Sequence, residues 1–330
     1  MQRRTIISAC AALGAGTGIF TAPGQARAQP AGKVWRIGFL AISAGPIIFH
    51  HAFLDQLRSL GYVEGRNLVI EYRWAANREE RLPELAAELV RLNVDLIFAA
   101  STSPAQAAKR ATSTIPIVVG TSADPIGAGL IASLARPGGN VTGMSNMGSE
   151  LAGKRLQMLR ELLPNVRRIA VLAFRGHPLT PLYLEQAQPA ARQWGMEMAL
   201  HEAREPTELV GAFAAMQAGR AEALIVLGSP FTTANHKRIA ELATQQRLPS
   251  MHEQREFVEA GGLMGYGPNL PEMFRRSAHL VDKILRGANP ANLPVEQPTK
   301  FDLAINVKTA RALGLTIPYA LRLQATEMIE

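Results

Sequence analysis

The sequence predicts an α/β protein of two doubly wound parallel-sheet lobes joined by three crossover segments. Three observations carry this reading. Short, almost wholly apolar strand candidates alternate with stretches of helical periodicity, the pattern of a parallel sheet covered on both faces. The alternation runs once, stops near residue 145 and starts again, so two blocks of ordinary domain size follow one another. Three further extended segments lie outside the regular alternation, as a chain that passes between two lobes requires.

In the first block the strands are expected at Arg36–Leu40, Asn67–Trp74, Val94–Ala100 and Ile115–Gly120, with helices near Pro46–Leu60, Glu79–Arg91 and Pro104–Thr112. Leu82, Leu85, Leu89 and Val90 share one face of the second helix. The second block opens with a helix from Glu150 to Leu163, ended by Pro164-Asn165, and a strand at Arg168–Phe174. A helix near Pro181–Trp194, strand Glu197–Glu202, helix Thr207–Ala218, strand Ala223–Gly228, helix Thr233–Arg247 and strand Ser250–Glu253 follow.

The crossing candidates are Asn140–Ser145, Gly261–Gly267 and Thr299–Asn306. A helix over Leu270–Arg286 is expected to return to lobe one. Asn269 can cap it, Glu272 can close a capping box, and Pro271 is tolerated in its first turn. Val307–Leu315 is expected to finish on lobe two. Lobe one is therefore residues 34–143 with 266–300, and lobe two residues 144–265 with 301–325.

Residues 1–28 have the order of an export signal: basic Arg3-Arg4, an uncharged run from Thr5 to Ala22, and small residues at Ala26 and Ala28. Cleavage is expected after Ala28, into the periplasm. Arg3-Arg4 also fits a twin-arginine signal, and the sequence does not choose between the two routes. Ile7-Ser8-Ala9-Cys10 resembles a lipoprotein box, but only nine residues precede the cysteine, which disfavours anchoring there. Cys10 is the single cysteine, so the mature chain has no disulfide, thiolate metal site or thiol nucleophile. The net charge of +8 is spread along the chain without a basic run, which argues against a nucleic-acid partner. No later segment is apolar for long enough to span a membrane.

Catalytic signatures are missing from the sequence: no HExxH, no GxSxG, no phosphate loop. The seven histidines, His50, His51, His177, His201, His236, His252 and His279, form no pair spaced for one helix face. Each reads as a surface or loop polar residue, and neither a metal nor a cofactor is expected. Gly127–Ala132 matches GxGxxA but does not follow a strand directly, so it reads as a helix start rather than a dinucleotide turn. The remaining candidates are polar residues at strand ends, where open α/β sheets bind ligands. They are Ser43 after the first strand, Ser101, Thr102 and Ser103 after the third, and Asp124 after the fourth. Ser103 reads as an N-cap and Pro104 as the first helical residue, a suitable seat for a carboxylate. In the second block Arg175 and Ser229 occupy equivalent ends. Asn146 and Tyr266 lie beside predicted crossings, Tyr266 with a stacking face and a hydroxyl to offer.

Several runs then carry a resemblance: LRSLGYVEGRNLVIEYRWA, DPIGAGLIASLARPGGNVTG, GLMGYGPNLPEMFRR and LPVEQPTKFDLAINVKTARALGLTIP. Together they resemble the ABC-transporter substrate-binding protein family that includes the tryptophan-binding type, over roughly Val34 to Pro318. The resemblance implies a type I periplasmic binding protein that clamps a small solute between its lobes without catalysis. A monomer that serves a cognate ABC permease is the implied partner arrangement. It places Ser101–Ser103 and Asp124 in the lobe-one half of the cleft, the loop from Ser229 in the lobe-two half, and Asn146 and Tyr266 near the hinge. One departure stands out. Amino-acid-binding members tend to carry an acid in the lobe-two loop, where this chain reads Gly228-Ser229-Pro230-Phe231, so the solute is left open among amino acids, aromatic compounds and organic acids. A ligand-sensing signalling protein is the competing class. A nucleotide-sugar enzyme is disfavoured by the leader and the missing phosphate loop.

Overall fold

Each sheet of the protein is buried on both faces, and each ends in loops that meet the other sheet's loops. The computed structural model describes residues 33–330. The leader, its cleavage point and Cys10 lie outside the described residues. In lobe one, β1 (Trp35–Ala41) leads to α1 (Ile48–Ser59), and β2 (Leu68–Trp74) leads through a 3-10 turn to α2 (Leu82–Arg91). Next come β3 (Leu96–Ala99), α3 (Thr102–Ala111), β4 (Ile117–Ser122) and, after a long loop, β5 (Val141–Ser145). The sheet order is β2-β1-β3-β4-β5, with every neighbour parallel.

Lobe two holds α4 (Ala152–Leu162), β6 (Arg168–Phe174), α5 (Thr180–Gln193), β7 (Glu197–Ala203), α6 (Glu208–Ala218) and β8 (Ala223–Val226). The short α7 (Pro230–Ala234), α8 (His236–Gln245), β9 (Ser250–His252), α9 (Arg255–Glu259) and β10 (Met264–Gly267) follow. The chain then places α10 (Leu270–Leu285) on lobe one, against α1 and β4. It returns for β11 (Asp302–Asn306), α11 (Val307–Ala312), α12 (Tyr319–Gln324) and β12 (Glu327–Ile329). The second sheet runs β12-β11-β10-β9-β8-β6-β7.

Four apolar clusters explain why the strands are apolar on both sides. Phe39, Phe53, Phe98 and Phe274 fill one face of the first sheet under α1 and α10. Leu40, Leu89, Ile97 and Ala108 fill the other under α2 and α3. In lobe two, Leu156, Val171, Ala187 and Ile305 pack beneath α4 and α5, while Leu172, Phe213, Ile239 and Phe257 pack beneath α6, α8 and α9. Burying one of the Leu, Ile, Val or Phe side chains among them is worth about 1.5–3 kcal/mol. β7 is the exposed edge and carries Glu197, His201 and Glu202, which suits a strand without an outer neighbour.

The structure corrects several sequence expectations. The three extended junctions are not linkers: they are β5, β10 and β11, and the chain passes between lobes just beyond β5 and β10 and just before β11. The passages therefore fall at 146–151, 268–269 and 297–301. The second sheet is not wholly parallel, because β11 pairs antiparallel with β10. A strand that arrives from the other lobe enters at the cleft end and must run away from it. The helix expected over Thr233–Arg247 is two helices that meet at Asn235. Ser229 starts the first with a capping box to Thr232, and Asn235 Nδ2 donates to Phe231 O at 2.8 Å. Gly127–Ala132 starts no helix and lies in a run of turns. Asn269 does cap α10, accepting from Glu272 N–H at 3.0 Å, but Glu272 pairs with Arg275 instead of closing a box.

Gly143 in β5 sits at φ +150, and a Cβ there would lie 2.3 Å from the carbonyl oxygen of Val119 in β4. Gly143→Ala is expected to destabilise the protein by about 2 kcal/mol or more. Urea unfolding of the two proteins checks this; an unchanged midpoint would show that the β4–β5 pair yields easily.

Candidate functional site

Because nearly all strands of both sheets run toward the other lobe, their carboxyl ends line one cleft. Its free space is about 600 Å³, solvent at the mouth included. Lobe one contributes Ser43 after β1, Ser101 and Thr102 at the start of α3, Thr121 in β4 and Asn146 after β5. Lobe two contributes His177 after β6, Gly228 and Ser229 after β8, and Glu253 and Gln254 after β9. Phe49 and His50 of α1 with Leu270 and Phe274 of α10 form an apolar wall on lobe one.

Of the nine residues proposed from sequence, Ser43, Ser101, Thr102, Asn146 and Ser229 line this cleft. The other four do not. Ser103 donates to Glu79 Oε1 at 2.7 Å, and the cap position of α3 belongs to Ser101. Asp124 accepts from the N–H groups of Ile126 and Gly127 at 3.0 and 2.8 Å, a turn-forming role. Arg175 is half-exposed and pairs with Glu208 at 3.0 Å. Tyr266 packs its ring near Phe301 and gives its carbonyl oxygen, not its hydroxyl, to a hydrogen bond from Arg155 Nε at 2.9 Å.

Polarity divides the cleft. No side chain caps α3, and Pro104 brings no N–H, so the N–H groups of Thr102 and Ser103 head the helix on the lobe-one side. Such an end favours an anion. Thr102 Oγ1 and Ser122 Oγ lie 3.0 Å apart beneath it. Opposite stands Glu253, a residue that sequence reasoning treated only as the end of a strand. Its Oε1 accepts from Arg155 Nη1 at 3.0 Å, and this pair is buried, Arg155 at 1% and Glu253 at 10% side-chain exposure. Its Oε2 lies against Gly228, where an added Cβ would approach to 2.1 Å. Glu253 thus brings a carboxylate beside the acid-free Gly228–Phe231 loop from the neighbouring strand end, and Gly228 leaves the room for it.

Arg155 does more than face Glu253. Its Nη1 also donates to Gly148 O at 2.9 Å, in the first passage between lobes, and its Nε to Tyr266 O, just before the second. Met147 in the same first passage holds φ 55, a left-handed conformation rare for such a side chain. The lobes also meet through an ion pair of Glu80 with Arg204 and through Leu182 beside Gly127.

Two of the histidines read as surface residues are buried. His50 accepts from Ile47 N–H at 2.8 Å through Nδ1, and burial with neighbouring His51 pushes its pKa down to about 4. His252 accepts from Gln254 N–H at 3.1 Å and stacks on Phe257, and burial pushes its pKa down to about 3. His177, which lines the cleft, is held down to about 4 by burial. Gln254 Nε2 donates to Thr233 Oγ1 at 2.9 Å. The spacing of these histidines offered no signal, because their burial comes from packing between distant segments. Among the described residues no group of three or more His, Cys, Asp or Glu is placed to hold a metal, and no helix is long and apolar enough to cross a membrane.

Comparison with known proteins follows the same lines. Residues 47–329 match the family described as ABC transporter substrate binding protein. A curated relative, the tyrosine-binding protein of Clostridioides difficile strain R20291, is 27% identical over 263 residues, which is 80% of this chain and 75% of that one. A Streptococcus pneumoniae domain solved in complex with L-Trp is 25% identical, with a TM-score of 0.79 over 89% of this chain and all of that one. The ligand-free, open structure of a substrate-binding protein with adhesive properties from Clostridium difficile is also 25% identical. It gives a TM-score of 0.62 over 90% of this chain and 99% of that one. At equal identity the chain superposes better on the Streptococcus pneumoniae domain than on the Clostridium difficile protein.

Both buried histidines have folded values below the 6.5 of an unfolded chain, so the folded state resists protonation. Their contribution to stability is fully present above pH 6.5 and is lost as pH falls toward 4, each by up to about 1.4 kcal/mol per pH unit. Urea midpoints are expected to hold from pH 8 to 7 and to drop between pH 6.5 and 5. A flat profile over that lower window would contradict the burial of neutral rings.

Proposed function

Since the chain belongs to the ABC transporter substrate binding protein family, we propose that it captures an aromatic amino acid between its lobes and presents it to an ABC permease. It is a solute-binding protein of a family of binding proteins, not catalysts. The observation that carries the amino-acid reading is the division of charge across the cleft. A helix end with hydroxyls stands on one lobe and the Glu253 carboxylate on the other. A zwitterion spans such a cleft: its carboxylate on the Ser101–Thr102 end of α3, its ammonium on Glu253 Oε2. Arg155 balances Glu253, and the cleft histidines are uncharged, so the site favours a solute with no net charge. The wall of Phe49, Leu270 and Phe274 accepts an aromatic side chain, with Ser43, Asn146 and Ser229 lining the same cleft. The tyrosine-binding and tryptophan-bound relatives support the same class.

Binding energy comes from burying the solute between the lobes, which shifts an open–closed equilibrium. Closure by a hinge fits the three short passages and the strained Met147. The protein works as a monomer in the periplasm, released by cleavage after Ala28, and a permease reads its closed form.

L-tryptophan, L-tyrosine or L-phenylalanine is expected to raise the melting temperature. Glu253→Gln and Gly228→Ala should each weaken binding by at least about tenfold, the loss of one charged hydrogen bond. Calorimetric titration checks this, and stabilisation only by the matching acids that lack the amino group would sink the amino-acid reading. Amino-terminal sequencing of the exported protein is expected to begin at Gln29, and a start at Cys10 would overturn the cleavage site.

A further inference from the structure

We propose that His50 sets the specificity of the cleft, as an uncharged N–H donor within the aromatic wall that selects solutes whose ring carries an oxygen over those with a bare ring. The inference deepens the proposed function and rests on the cleft being the solute site. It starts from a tautomer. His50 Nδ1 accepts the Ile47 N–H at 2.8 Å, so that nitrogen carries no proton, and a neutral ring must carry its proton on Nε2. Burial keeps the ring neutral, with its pKa pushed down to about 4.

His50 is only 2% exposed and lines the cleft, yet its Nε2 has no partner. A buried donor left unpaired is unfavourable and rare in native proteins. Neighbouring rings hold the imidazole in place: Phe39 meets it edge-on at 4.9 Å, and Trp74 lies at 5.2 Å. A second polar atom points the same way. Thr121 also lines the cleft, and its Oγ1 is buried without a partner. An apolar wall of Phe49, Leu270 and Phe274 that contains two unpaired donors suits a ring bearing a hydroxyl or carbonyl oxygen. A bare phenyl ring would bury both donors unmet, and sites built to bond a hydroxyl reject analogues that lack it.

Two probe pairs test this by calorimetry: L-tyrosine with L-phenylalanine, and 4-hydroxyphenylacetate with phenylacetate. The hydroxylated member is expected to bind at least about tenfold tighter in whichever pair binds. His50→Phe should erase that ratio, by weakening the hydroxylated member relative to the unhydroxylated one. Should that variant fold poorly, nitrogen-15 NMR of the unmodified protein gives the same information, because the His50 Nε2–H resonance should shift with the hydroxylated member only. Equal affinities within a pair, a ratio that survives His50→Phe, or no binding by any of the four overturns the proposal. Binding by the acid pair alone, with the hydroxyl preference intact, would remove the amino-acid reading and leave the role of His50 standing.

Discussion

The buried contact between Arg155 and Glu253 is the constraint on which the cleft depends. A guanidinium exposed by 1% has little water to solvate it, so it depends on protein acceptors: Nε and Nη1 find three, and Nη2 finds none. Two of those acceptors are the carbonyls of Gly148 and Tyr266, which flank two of the passages between the lobes. The third is the one acid in the cleft. One side chain on α4 therefore registers the backbone of two passages between the lobes against the carboxylate that lines the cleft. Removing either charge would leave the other buried and unpaired, which is far more damaging than the pair is stabilising. Its service is positional: it holds Glu253 where Gly228 has left room for it.

Around that contact the sheets act as a frame. Both are covered by helices on both sides, so their strand ends are rigid and their polar loops are the only parts free to differ. The strands that enter from the other lobe mark the exception, since β11 must run against β10. The same geometry keeps the hinge short. Three passages of a few residues each permit rotation of the lobes while the cores stay intact.

Much of the fold was legible in the chain. Alternating apolar runs located β1 to β4 and β6 to β9 to within two residues at each end, because a strand buried on both faces is mostly apolar, whereas β5, β10 and β11 read as passages between lobes. Helix ends were legible where a cap is local, as at Asn269, and misplaced where it is not, as at Ser103. At the carboxyl end, α12 and β12 left too short a pattern to read, and α9 is a single turn and a half between two strands.

The site was legible only where a strand end carries its own polar residue. Ser43, Ser101, Thr102, Asn146 and Ser229 belong to that kind, and the sheet topology alone brings them to one cleft. Ser103, Asp124, Arg175 and Tyr266 have the right chemistry and sequence position but spend it on Glu79, a turn, Glu208 and packing. By itself the sequence determined the two α/β blocks, the succession of their strands and the strand-end edge that lines the cleft, because periodicity and turn chemistry are local properties. Only the tertiary structure decided that Glu253 lies beside Gly228, that Arg155 holds it, and that His50 is a buried ring with its pKa pushed down. Those three facts arise from contacts between segments up to about a hundred or more residues apart, and burial and pairing at such distances leave no mark in local sequence.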